Sequence, residues 1–322
     1  MNFSDIQATV AKDFDAVNTL IMEQLSSNVP LIGEVGSYII NSGGKRLRPL
    51  VSLLSANAFN YKGTKHITVG AVTEFLHTAT LLHDDVVDQS NMRRGNATVN
   101  SVWGNAHSVL VGDFLISRSF QMMVSLNNLT LLDILADATN AISEGEVLQL
   151  INIHDPDTTE ESYMKVIRYK TAKMFEVAAE SGAVLANQEQ DQIQAMRNYA
   201  RHMGAAFQLA DDILDYTGSA KEMGKNVGDD LAEGKPTMPL IYVLNNGSPE
   251  QSTIIRKAIK EGGLDNLDEI IETVKSSGAI EYTHEFALNE ARLAAEALSI
   301  VPASKYRDAL EALARLAVER TS

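Results

Sequence analysis

The chain of 322 residues contains no cysteine. Disulfides, thiolate metal sites and cysteine nucleophiles are therefore excluded, and the composition agrees with a reducing, cytoplasmic setting. Proline is scarce, with 7 in the whole chain, which leaves long helices uninterrupted. Basic residues are outnumbered: 27 Lys and Arg stand against 42 Asp and Glu, a net charge of −15. An acidic balance of this size argues against nonspecific nucleic-acid binding, which needs basic surface to neutralise phosphate. It also means that any anionic ligand must be met by metal cations or by local arginines and lysines. No apolar run approaches the roughly 18 residues that a membrane-spanning helix requires. The opening MNFSDIQATVAKDFDAV has no signal-peptide core and is expected to form an amphipathic helix, with Ile6, Val10, Val17, Ile21 and Leu25 on one stripe.

What is present is hydrophobic and helical in period. Hydrophobic residues make up 45% of the chain, and no strand-like alternation persists. The periodicity predicts helices over 4–26, 31–41, 49–60, 66–89, 105–126, 129–151, 160–186, 189–217, 237–246, 249–261, 265–277, 280–298 and 303–320. Ser248-Pro249-Glu250-Gln251 and Thr158–Glu161 are expected to be capping boxes. The segments 105–126 and 129–151 are apolar on more than one face, as buried inner helices are. With no linker dividing it, residues 1–322 are expected to form one all-α domain.

The chemistry is concentrated in a few stretches. LLHDDVVDQSNMRRG (81–95) presses Asp84, Asp85 and Asp88 against apolar helix and follows them with Arg93 and Arg94. Carboxylates one turn apart repel, by about 0.2–0.5 kcal/mol per pair in an isolated helix, so something must offset the crowding. On the same helical stripe lie Thr80 and, two turns below Asp84, His77. FQLADDILD (207–215) repeats the spacing with Asp211, Asp212 and Asp215. One such motif reads as a solvated acidic helix end. Two in apolar helices point to carboxylates that hold magnesium between facing helices, because magnesium takes one or two carboxylates and fills its shell with water and phosphate oxygens. Basic residues cluster as selectively: Lys45, Arg46 and Arg48 in GGKRLRP (43–49), Lys170-Thr171 in RYKTAKMFEV, and Lys225 and Lys235 in GKNVGDDLAEGKPTMPL. Arginine forks and lysine ammonium groups suit diphosphate oxygens.

In order and content, GGKRLRP, LLHDDVVDQSNMRRG, KTA, FQLADDILD and GKNVGDDLAEGKPTMP resemble the motif series of the trans-type isoprenyl diphosphate synthases, over almost the whole chain. That resemblance implies a single large helical bundle of the isoprenoid synthase type with a central cavity. It implies isopentenyl diphosphate on Lys45, Arg48, His77 and Arg94. An allylic diphosphate such as farnesyl diphosphate would lie on Arg93, Lys170, Thr171, Gln208, Lys225 and Lys235. Mg2+ would be bound by Asp84 and Asp88 on one side and Asp211 on the other, with Asp85, Asp212 and Asp215 in support; Asp84, Asp85, Asp88, Lys170, Asp211 and Asp212 would carry the reaction. The implied product is a long all-trans polyprenyl diphosphate, octaprenyl by overall likeness with heptaprenyl or nonaprenyl as alternatives, delivered to the membrane for quinone side chains by a soluble homodimer.

Small residues at Ala79 and Thr80, just below Asp84, leave room for a long chain, and Met123, Leu131 or Leu135 would form its floor. His83 and His154 have no comparable support and are expected to be structural. A class I terpene cyclase also uses acidic helices and magnesium, but it has no need of the Lys45/Arg48 group. A regulatory subunit would not need two complete aspartate motifs.

Overall fold

The computed structural model describes residues 1–218, 228–262 and 266–319. It is all-α apart from one two-residue hairpin. The chain divides into two units: Met1–Ala138, Met174–Ala200 and Ala297–Leu313 form the first, and Thr139–Lys173, Arg201–Glu296 and Ala314–Ser322 the second.

In the first unit the central element is helix Lys65–Val87, packed by Leu47–Ala58, Asn105–Ser125 and Ala11–Gln24. From Val69 to Ala79 every side chain is buried except His77. Among the residues that regain exposure further along, Thr80, Leu81, Asp84 and Asp88 extend the His77 stripe at helical spacing, while His83, Val86 and Val87 open other faces at the helix end. The His77 stripe holds Asp84 and Asp88 of the first acidic motif. The amphipathic stripe foreseen at the N-terminus is buried as expected, with Ile6, Val17 and Ile21 at 0% exposure. The helix itself breaks, however: Phe3–Ala8, opened by an Asn2/Asp5 capping box, ends at Thr9, and Ala11–Gln24 begins anew.

The second unit packs Tyr163, Met164, Ile167, Leu209, Met238 and Ile241 into one apolar cluster. A second cluster gathers Tyr216, Leu231, Ile255, Ile259 and Val274. Two sequence expectations are corrected here. The stretch 160–186 is not one α-helix: Glu160–Ile167 and Lys173–Leu185 are separated by a π-helical turn, Arg168–Ala172, which carries Lys170 and Thr171. The capping residue at its start is Thr159, whose hydroxyl accepts from the Ser162 N–H at 3.1 Å, while the Thr158 hydroxyl is buried without a partner. The Ser248/Gln251 capping box forms as predicted.

Candidate functional site

In the first unit, one element explains why two successive arginines do different work. Met92–Arg93 and Asn96–Ala97 pair antiparallel, and the two residues between them, Arg94 and Gly95, both have positive φ, 51° and 76°. That is the tight primed turn that matches strand twist. Arg93 ends the strand while Arg94, at positive φ, already belongs to the turn, so the two side chains part company. Arg93 turns to Asp85: its Nε and one terminal nitrogen each lie 2.8 Å from Oδ1. Arg94 donates to the carbonyl of Gly43. Gly44, at φ 129°, lies against that guanidinium so closely that a Cβ would collide with it. The glycine-opened turn of GGKRLRP therefore exists to admit Arg94.

The acidic end of the helix is divided in the same way. Asp84 and Asp88 are half-buried on the accessible stripe, whereas Asp85 is fully buried, with its Oδ2 lacking any hydrogen-bond partner. Burial pushes the Asp85 carboxyl above the ordinary range, as do Asp84 and Asp88, against the pull of Arg93. Burial works against the Arg93 charge too, but its bond to Asp85 and the nearby charges of Asp84 and Asp88 raise its pKa overall. Crowded aspartates are thus partly relieved from inside the protein.

Beside this lies a cationic cluster. The Arg48 guanidinium stacks on the Phe175 ring at 4.5 Å, and its Nε is buried without a partner. Burial pulls its pKa down to about 10, against the attraction of Glu74 and with the repulsion of Arg94. Glu74 is 8% exposed; burial raises its pKa, while Arg48, Arg46 and Arg94 oppose that rise. Burial, then Arg48, Arg94 and Arg93, hold His77 well below the usual imidazole range, so it is neutral at neutral pH. Arg46 is turned elsewhere, to Asn18 and the Ile40 carbonyl. Lys45 is exposed, with its Nζ 5.5 Å from the centre of the Phe3 ring. The set of Arg48, Arg94 and His77 with an unpartnered buried N–H is what an anion of several oxygens would complete.

The second unit brings together Lys170, Thr171, Gln208 and the second acidic motif. Lys170 donates to Glu146 Oε2 at 2.6 Å and Gln149 Oε1 at 2.7 Å. Gly145 permits this, because a Cβ there would come within 3.0 Å of the Lys170 backbone nitrogen. Thr171 donates to Gln208 Oε1 at 3.0 Å, and Gln208 donates to Asp212 Oδ1 at 2.9 Å. The Tyr163 hydroxyl donates to the other Asp212 oxygen. Asp212 is 2% exposed; burial and the charge of Asp230 push its carboxyl well upward, against Tyr163 and Gln208. Asp215 is buried and accepts from the Asp230 N–H at 3.3 Å, and Asp211 is half-buried. Lys235 pairs with Glu233 at 2.5 Å. Lys225 lies outside the described residues.

Lys45, Arg48, His77 and Arg94 fall in the first unit together with Asp84 and Asp88, and so does Arg93, which was expected with the allylic group; Lys170, Thr171, Gln208, Lys235 and Asp211 fall in the second. The middle aspartate of each motif is an inward anchor, Asp85 on Arg93 and Asp212 on Tyr163 and Gln208, and in the second motif Asp215 is buried as well. Sequence reasoning missed Glu74, Glu146, Gln149 and Tyr163. Glu74 was within reach, since it stands one turn before His77. His83 contacts the Val109 carbonyl at 3.1 Å and lies 3.4 Å from Asp113 Oδ1, and His154 contacts the Ile259 carbonyl at 2.9 Å.

Magnesium suits this donor set. Asp84 and Asp88 offer hard oxygen donors one turn apart, the ligand type taken by a divalent cation that completes its shell with water and phosphate oxygens. Among the described residues, no helix is long and apolar enough to cross a membrane. The helices Asn105–Ser125 and Leu129–Asn152, expected to be wholly buried, leave apolar side chains accessible in the single chain. In the first unit these include Leu110 at 65% and Leu129 at 84%; in the second, Val147 at 57% and Ile151 at 67%.

Comparison with known proteins agrees with the motif order. Residues 29–275 match the model of the polyprenyl synthetase family. The chain is 50% identical over 321 residues to octaprenyl diphosphate synthase of Escherichia coli K12, covering 99% of each. It is 48% identical to an all-trans-nonaprenyl-diphosphate synthase of Rhodobacter capsulatus, covering 98% of this chain and 97% of that one. Among solved structures, a polyprenyl synthase from Caulobacter crescentus CB15, complexed with calcium and isoprenyl diphosphate, superposes with a TM-score of 0.96 at 41% identity, covering 100% of this chain and 98% of that one. An all-helical chain with two anchored aspartate motifs and separate cationic clusters, similar to these proteins over its full length, belongs to the polyprenyl synthetase family of prenyl-transferring enzymes.

Proposed function

We propose that residues 1–322 act as one cytoplasmic synthase domain that extends an allylic diphosphate, farnesyl diphosphate foremost, with successive isopentenyl diphosphate units. The product is a long all-trans polyprenyl diphosphate, octaprenyl, released toward the membrane for quinone side chains. A nonaprenyl product is the second reading, favoured by the 48% identity to the Rhodobacter capsulatus relative named for that length.

The observation that carries this assignment is the Arg48–Glu74–Arg94–His77 cluster, built around the buried Glu74, in the same unit as Asp84 and Asp88. A cyclase, which ionises one diphosphate, has no need of a second anion site, whereas a condensing enzyme does. In this assignment Lys45, Arg48, His77 and Arg94 hold isopentenyl diphosphate, and the neutral His77 contributes a hydrogen bond rather than charge. Arg93, Lys170, Thr171, Gln208 and Lys235 hold the allylic diphosphate; Lys225 is assigned with them on the family resemblance. Asp84, Asp88 and Asp211 would hold magnesium, which when bound supplies positive charge toward the departing diphosphate. The allylic C–O bond breaks with its electron pair leaving on the diphosphate. The isopentenyl double bond attacks the cation-like carbon, and loss of a proton to the released diphosphate restores an alkene. The protein's cationic side chains lower the barrier by stabilising charge on the leaving group.

A homodimer is supported by the accessible apolar side chains on the two helices described above. Incubation with farnesyl diphosphate, labelled isopentenyl diphosphate and magnesium, followed by product sizing, tests the proposal. A single long polyprenyl product is expected; turnover without isopentenyl consumption would indicate a cyclase, and no condensation by the purified chain would indicate a regulatory subunit.

A further inference from the structure

We propose that Tyr163 is a positioning residue for the allylic-diphosphate side chains, acting through the Tyr163–Asp212–Gln208–Thr171 chain of hydrogen bonds. This rests on the assignment of Gln208 and Thr171 to that substrate.

Tyr163 lies in the helix Glu160–Ile167, and Thr171 in the π-turn that follows it. One segment therefore reaches Asp212 twice, once directly and once through Gln208. The Tyr163 hydroxyl donates to Oδ2 and the Gln208 amide to Oδ1, so each carboxylate oxygen already has a donor. With both Asp212 oxygens accepting, the Gln208 amide faces one way: nitrogen toward Asp212, carbonyl toward Thr171. The Gln208 carbonyl in turn accepts the Thr171 hydroxyl proton at 3.0 Å. The Thr171 oxygen is left as an acceptor, so Thr171 holds the diphosphate through a bridging water or a cationic group rather than by a direct bond to a phosphate oxygen.

Tyr163 is well placed to hold this order. Its ring is packed with Met164, Ile167, Leu209 and Met238, and it is 7% exposed. The ring's position is set by apolar packing, so its hydroxyl is a fixed donor rather than a mobile one. Without that donor, Asp212 keeps only Gln208 and can rotate about χ1 and χ2, taking the amide with it. The disturbance then reaches Thr171 without any change to the groups that hold isopentenyl diphosphate.

The test is steady-state kinetics of Tyr163→Phe, which keeps the ring and removes the hydroxyl. The KM for farnesyl diphosphate should rise roughly tenfold, the worth of one hydrogen bond to a charged group. The KM for isopentenyl diphosphate should stay as in wild type. A structural role alone would lower the melting temperature and the active fraction without separating the two KM values. Unchanged KM values in a folded variant would overturn the proposal, as would an equal rise in both. Should Tyr163→Phe fail to melt cooperatively, Asp212→Asn replaces it: the tyrosine keeps its acceptor while the asparagine NH2 now meets the Gln208 amide and reverses it. The same selective rise in the farnesyl KM is then expected, and its absence overturns the proposal. Wild-type protein that fails to condense the two substrates overturns the functional assignment and this proposal with it. An active wild type with an indifferent variant overturns this proposal alone.

Discussion

Thr80→Phe should shorten the product, and Ala79→Phe should mainly destabilise the protein. Both positions are small, and both precede Asp84 on the helix Lys65–Val87, yet they face different surroundings. Thr80 is half-buried on the accessible stripe with His77 and Asp84, and its hydroxyl donates to the His77 carbonyl at 2.8 Å. Ala79 is sealed, at 0% exposure. Four residues of helix place Thr80 about 6 Å below Asp84, a distance on the scale of one isoprene unit. A phenyl ring at Thr80 has accessible space to enter and would block the growing chain soon after the primer. A ring at Ala79 has none and must displace its neighbours, an overpacking cost of about 1–3 kcal/mol. In a protein of this size that lowers the melting temperature by about 1–2 °C per kcal/mol. The assay is chromatographic sizing of labelled product made from farnesyl and isopentenyl diphosphates, with thermal melts of both variants alongside. Thr80→Phe should give short products at nearly wild-type stability, and Ala79→Phe a lower melting temperature with product length largely kept. The opposite pattern, wild-type length from Thr80→Phe and truncation by Ala79→Phe, refutes the reasoning.

Arg93→Ala should cost stability as well as substrate affinity, because it strips the partner from a fully buried Asp85; a loss on the order of 3 kcal/mol is expected in denaturant titration, and a melting curve equal to wild type would contradict it. His77 is held neutral well below its ordinary 6.5 in the folded chain but titrates there once unfolded. As pH falls below that value the unfolded chain takes up a proton that the folded one refuses, so stability declines on the acid side. Melting temperatures measured between about pH 7.5 and 5.5 should therefore fall less for His77→Gln than for wild type, whereas parallel curves would show that His77 is not so perturbed. Leu110→Asp, on the accessible apolar face of Asn105–Ser125, should shift the particle mass by light scattering from dimer to monomer; an unchanged mass would remove that helix from the interface. Chelation should abolish condensation and added magnesium should restore it, and activity that persists in chelator would exclude the aspartate motifs as metal sites.

Local physics made the helices and the motifs legible. A helical period repeats every few residues, so Ile6, Val17 and Ile21 could be assigned to one buried stripe from spacing alone. The common stripe of His77, Thr80, Asp84 and Asp88 followed from the same geometry. Breaks in the helices were less visible. The interruption at Thr9 and the π-turn at Arg168–Ala172 leave the apolar period on both sides nearly intact, so no pattern announces them. The choice of Thr159 over Thr158 as capping residue is likewise not announced by residue type, since both are threonines.

By itself, then, the sequence determined the all-helical class, the order of acidic and basic motifs, and which stripe of Lys65–Val87 is polar, because each depends on neighbours within a turn. Only the tertiary structure decided which aspartates of each motif turn inward, that the buried Glu74 meets the charges of Arg48, Arg46 and Arg94, and that Leu110 and Leu129 stay accessible. Tyr163 reaches Asp212 across 49 residues of chain. Partners so distant in sequence are chosen by how helices pack, and no spacing along the chain encodes that choice.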